Sequence, residues 1–131
     1  LLVSSYIKNK IRKPQAIYTS TANRAKTTAN LFIENLEWNN LPYLEKDKLY
    51  DFSGNDLVNE IKNFPSNIEH IIVFGHNHAI TAIVNTFGSI RFNNVPTCGL
   101  VQIEFSIINW EDLNKGKTTF HIFPKLLKQA L

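Results

Sequence analysis

The sequence predicts an α/β fold, with a mostly parallel open sheet flanked by helices. Three observations predict it. Residues 16–20, "AIYTS", and residues 71–74, "IIVF", are short runs rich in strand formers, and the second is apolar throughout, as a strand covered on both faces must be. Each run leads into a segment whose apolar residues recur every three or four positions, the alternation of strand and helix from which parallel sheets are built. A length of 131 residues suits one domain, in which about two-thirds of the unfolded surface can be buried.

Taken in order, Leu2, Val3, Tyr6, Ile7 and Ile11 share a helical face with Lys8, Asn9 and Lys10 between them, so the chain is expected to open within a helix. Leu1 is not a methionine, and the fold is expected to begin upstream of it. Pro14 punctuates, and the strand over 16–20 follows. Ser20 or Thr21 can cap the next helix, with Ala22, Ala25, Ala29, Phe32 or Ile33, and Leu36 on its apolar face. Residues 37–54 hold no sustained period and several acids, and are expected to be mostly loop.

Asn55 can cap a third helix, with Leu57, Val58, Ile61 and Phe64 facing inward until Pro65 forbids continuation. The strand "HIIVFGH" comes next, and a helix from about His78 to Phe87 places Ile80, Ile83, Val84 and Phe87 on one face. After a loop with Pro96, "GLVQIEFSI" alternates like a half-buried strand and "TTFHIF" like a second, expected to pair antiparallel. No internal repeat or linker interrupts the chain.

Composition narrows the function classes. No run approaches the roughly 18 apolar residues of a membrane span, so no membrane partner is expected and the default location is cytoplasmic. A single cysteine, Cys98, allows no internal disulfide and no thiolate metal cluster. A net charge of +3 from scattered lysines lacks the basic stripe of a nucleic-acid binder and only mildly favours anionic ligands.

Candidate site residues stand at the two strand-to-helix turns, because ligands of open α/β sheets sit outside the carboxyl ends of the strands. Arg24 lies in the first turn of its helix, where the helix dipole disfavours a cation by about 0.3–1 kcal/mol. An anion bound at the helix N-terminus would reverse that cost, since backbone N–H groups and the planar guanidinium fork converge on it. The alternative, on position alone, is a solvated surface arginine. At the second turn Asn77 can cap the helix, which puts His76 at the end of the strand, aimed into the same crevice. Near neutrality a histidine there can donate to an anion or accept a proton, although a structural histidine fits the position equally. His78 is expected to face solvent, and His70 and His121 to flank or line strands. His76 and His78 also form an H-x-H pair, but a catalytic zinc usually needs three protein ligands and the barrel that often carries this pair needs about 250 residues. No metal or other cofactor is expected.

"SxxxRAxxTA", formed by Ser20, Arg24, Ala25, Thr28 and Ala29, is followed by "VFGHNHAI" and "VPTCGLVQIEF", with "DKLYDFSGNDL" between and "FHIFPKLL" at the end. Together and in this order, these resemble the bacterial phosphohistidine phosphatases of the histidine phosphatase, or phosphoglycerate-mutase-like, superfamily, over essentially the whole chain. The resemblance implies a single domain of that fold over residues 1–131, incomplete at its N-terminus. It implies that Arg24 and His76 hold the transferring phosphoryl group, with Asn77 beside them. In that family the nucleophile is a histidine within an Arg-His-Gly segment at the end of a preceding strand, and this sequence contains no Arg-His-Gly. The family's "GHNPG" reads "GHNHA" here, which alters the rim of the site more than its phosphate contacts, since proline at the first helical position is helpful and not essential.

The implied activity is a metal-independent hydrolase reaction on phosphohistidine or a phosphate monoester, through a phosphohistidine enzyme intermediate. Its substrate would be a phosphorylated protein or a small phosphorylated molecule. Glu45, Asp47 or Asp51 could act as general acid, or be solvated loop charges. The rival from another class is a catalytically inactive phosphate- or phosphohistidine-binding module.

Overall fold

The computed structural model describes residue 7 and residues 10–46, 55–75, 77–96 and 99–124. Five strands and three α-helices lie among them: β1 (Ala16–Ser20), α1 (Asn23–Leu36), β2 (Tyr43–Lys46), α2 (Asn55–Lys62), β3 (Ile71–Phe74), α3 (Asn77–Phe87), β4 (Leu100–Glu104) and β5 (Lys117–Ile122). A 3-10 turn, Trp110–Asp112, links β4 to β5. The expected α/β class is observed.

β1 is the centre of a parallel sheet of order β2-β1-β3. All five of its residues are buried, so it can carry no charge and no unpaired backbone. Successive side chains of a strand point to opposite faces, and the two faces are covered by different helices. Ile17 and Phe74 pack with Ala25, Ala29 and Phe32 of α1, while Ala16 and Tyr18 pack with Leu57 of α2, Phe64, and Ala79 of α3. Gln15 fixes the lower end of the sheet. Its Oε1 accepts the backbone N–H groups of Glu69 and His70 at 2.6 and 3.0 Å, and its own N–H donates to His70 O at 2.7 Å.

Three sequence expectations change, and a fourth lies mostly outside the described residues. The stretch expected as loop contains β2, whose Tyr43–Lys46 pair in register with Ile17–Ser20. β2 was hidden because it is a short edge strand with burial alternating between exposed and half-buried, so no apolar run marks it. α2 ends at Lys62, before Phe64, in a turn where Asn63 and Phe64 donate to Glu60 O and Ile61 O. Phe64 is nevertheless buried, stacked on Tyr18 with ring centroids 4.2 Å apart. Of the opening helix, only Ile7, Lys10 and Ile11 fall within the described residues; Ile7 is fully buried in the cluster under α1. Finally β3, expected to be buried on both faces, is only half-buried at Ile71, Ile72 and Val73.

The reason lies at its far edge. β4 and β5 pair antiparallel as expected, but as a separate two-stranded sheet, with a register shift between Gln102 and Ile103. Among the described residues β3 pairs only with β1, and β4 only with β5. A cavity of about 320 Å³ lies between them, lined by both strands.

Burial gives one testable consequence. Burial first, and the charge of Glu60 second, raise the Tyr18 phenol above its ordinary value. The neutral phenol is therefore favoured by folding: its contribution is fully present below the unfolded value of about 10 and is lost as pH rises through the higher folded value. Urea unfolding at about pH 8 and pH 11 should show a smaller alkaline loss for Tyr18→Phe, which keeps the stack on Phe64, than for the parent chain. Equal losses would remove Tyr18 as the cause.

Candidate phosphate site at the sheet's carboxyl edge

β1 and β3 are neighbours, and Thr19 pairs with Phe74, so both strands leave the sheet at the same level. The helices that follow them diverge. α1 covers the face of Ile17 and Phe74, and α3 covers the face of Tyr18 and Val73. Such a divergence is the switch point at which an open α/β sheet leaves a crevice for a ligand. The order of strands produces it: β1 leads outward to β2, and the chain then returns across β1 to place β3 on the other side.

Arg24 is the second residue of α1 and is exposed at this crevice. The helix begins without a side-chain cap. Its N-cap is Ala22, with φ −61° and ψ 136°, and its first turn holds no acidic residue. Alanine is among the poorest N-caps, so this end keeps unsatisfied N–H groups and its positive partial charge. Neither Ser20 nor Thr21 takes the cap position expected of it. Ser20 is fully buried at the end of β1, and its Oγ accepts the N–H of Ala22 at 3.0 Å, one residue too early to serve the helix. Thr28, four residues on, donates its hydroxyl to Arg24 O at 3.0 Å.

The one ion pair of this turn joins Lys26 Nζ to Glu45 Oε1 at 3.3 Å, leaving Arg24 without an acidic partner among the described residues. Glu45 sits on β2 in register with Thr19. It is exposed and is not among the residues lining the cavity with Arg24. Asp47 and Asp51 lie outside the described residues, as do His76 and Cys98. Asn77 is the first residue of α3, one position earlier than the expected helix start, with its side chain outside the description. α3 also has no acidic residue in its first turn. His78 is exposed there, as expected.

The other two histidines flank or line strands, as expected. His70 precedes β3, and its Nε2–H tautomer donates to Arg12 O at 3.0 Å. His121 lies on β5, with its ring 5.0 Å from Phe92 and 5.6 Å from Phe123. Among the described residues, no group of three His, Cys, Asp or Glu side chains is placed to hold a metal ion. No helix among them is long and apolar enough to cross a membrane.

The cavity joins this edge to the interior. Ala22, Arg24 and Gly75 line it beside the apolar residues Ile72, Val101 and Trp110. The sequence points to the polar end through the odd placement of Arg24. It gives no sign of the apolar part, because that part depends on β3 and β4 facing each other across a gap. No protein-family model matches the chain, and no curated protein matches it.

Proposed function

We propose that this chain forms the phosphate-holding half of a metal-independent histidine phosphatase acting on phosphohistidine or a phosphate monoester. The observation that supports it most is Arg24, a cation without an acidic partner among the described residues, in the first turn of an uncapped helix at the switch point of the sheet. Two helix N-termini free of acidic residues meet at that edge, and a dianionic phosphoryl group would satisfy their N–H groups and the guanidinium together. In this reading Arg24 and His76 neutralise the equatorial oxygens of the transferring group, Asn77 helps to position it, and covalent catalysis divides the transfer into two easier steps.

The nucleophile belongs to none of these residues. Since the sequence contains no Arg-His-Gly, a second reading has the same edge as a binding module for phosphate or phosphohistidine, without turnover. Both readings require anion binding. The 131-residue chain should bind vanadate or inorganic phosphate saturably by calorimetry, EDTA should leave that binding unchanged, and a chromogenic phosphate ester should give no burst of phosphoenzyme. Absence of anion binding would reject both readings. Trapping a phosphate on His76 would make that residue the nucleophile and overturn the assignment, and loss of binding in EDTA restored by zinc would bring back a metal site.

A further inference from the structure

Residues four apart share a face of a helix, and on α3 two such residues, Thr81 and Asn85, hold the backbone of the segment that follows it. Asn85 Oδ1 accepts the N–H of Phe92 and its Nδ2 donates to Phe92 O, both at 2.8 Å, the double exchange that a neighbouring strand would make. Thr81 Oγ1 accepts the N–H of Val95 at 3.0 Å. The held residue advances from 92 to 95 while its anchor falls from 85 to 81. The segment therefore runs back along α3 to the helix's N-terminal half, at the carboxyl edge of the sheet. Its start is fixed on β5, where the backbone N–H groups of Ser89 and Thr118 each donate to the other's hydroxyl, at 3.0 and 2.9 Å.

We infer that residues 89–96 form a strap whose closure completes one wall of the anion site, and that Asn85 and Thr81 are the positioning residues that close it. The inference rests on the phosphate reading given above. Past Val95, which is buried, the chain enters a turn in which Gly99 N–H donates to Pro96 O at 2.9 Å. Pro96 and Gly99 line the same cavity as Ala22, Arg24 and Gly75. Ile90, Arg91, Asn93 and Asn94 are exposed, and Phe92, against the rings of His121 and Phe123, is half-buried. Little apolar burial holds the middle of the strap, so the two helix side chains decide whether it lies closed. Such a segment opens locally at lower cost than the domain unfolds. An anion that needs the wall binds the closed strap alone and thereby holds it closed.

The test reads amide hydrogen exchange at Phe92 and Val95 in the 131-residue chain, with and without vanadate. At vanadate about ten times its dissociation constant, exchange at both amides should slow about tenfold, the factor by which a ligand of the closed form suppresses opening. The amide of Asp112, bonded to Asn109 O outside the strap, should not change. Removing both anchors, Asn85→Ala with Thr81→Val, should speed exchange at Phe92 and Val95 and weaken vanadate binding about fivefold or more in a chain that remains folded. A purely structural role would lower the unfolding midpoint and leave the vanadate affinity of the folded chain unchanged. That result would overturn the inference, as would exchange at Phe92 and Val95 that ignores bound vanadate. If the double variant does not fold, Thr81→Val alone and the exchange of the parent chain decide. A parent chain that binds no vanadate rejects the phosphate reading and this inference with it, whereas one that binds vanadate with the strap unaffected rejects the strap alone.

Discussion

Replacing Arg24 with alanine should lower turnover of a phosphatase substrate by about two to three orders of magnitude, in a protein that combines these residues with the Arg-His-Gly strand. The expectation rests on preorganisation. The guanidinium stands at a helix end that disfavours a cation, with no carboxylate partner among the described residues to offset that cost, and in the proposed site a bound anion would offset it. In the 131-residue chain the same change should weaken vanadate binding by about tenfold or more, the scale of a lost charge-assisted hydrogen-bond pair. Lysine should restore only part of either loss, because a point charge cannot engage two oxygens in the planar geometry of the fork. Since Arg24 is exposed, the variant should keep its unfolding midpoint. Full activity, or an unchanged vanadate affinity, would show Arg24 to be an ordinary surface residue.

Phe32→Ala should have the largest effect on stability. Phe32 is 2% exposed in the cluster between α1 and the sheet, and its ring meets Phe74 edge-on at 5.4 Å and 70°. Truncating a buried phenylalanine costs about 3–5 kcal/mol, a large share of the roughly 5–15 kcal/mol that holds a domain folded. The neighbourhood cannot easily close over the loss, because Phe32 also borders the cavity between β3 and β4, and the new void would merge with it. Ile108→Ala is the matched control: at 90% exposure it should change stability by less than about 0.5 kcal/mol. Denaturant unfolding decides the matter, and a loss below about 1.5 kcal/mol for Phe32→Ala would show that this cluster is not the main core.

Much of the fold is legible in the sequence. "AIYTS" and "IIVF" are strands at the expected positions, and Ala25, Ala29 and Phe32 are buried on α1 as their spacing predicts. β4 and β5 pair as alternation suggests. Arg24 is legible too, because a cation in a first helical turn conflicts with the dipole whatever surrounds it. Other features are not. Ser20 and Thr21 were the chemically sensible caps, yet the sheet holds Ser20 fully buried and leaves Ala22 at the helix start. "YLEK" has no strand-like run of its own and becomes β2 because β1 offers it an edge.

The sequence by itself therefore determined most of the elements and their order, with β2 the exception, and the presence of a cation in the first turn of a helix. These follow from periodicity and capping among residues a few positions apart, which travel with the chain wherever it folds. The tertiary structure alone decided that the turns after β1 and β3 leave one sheet edge at the same level, because their register joins residues 55 positions apart, as in Thr19 and Phe74. It alone decided that β3 and β4, not paired with each other among the described residues, line one cavity of about 320 Å³. Strand neighbours are chosen by long-range hydrogen bonding and burial, and a strand's own residues read the same whether its far edge is paired or open.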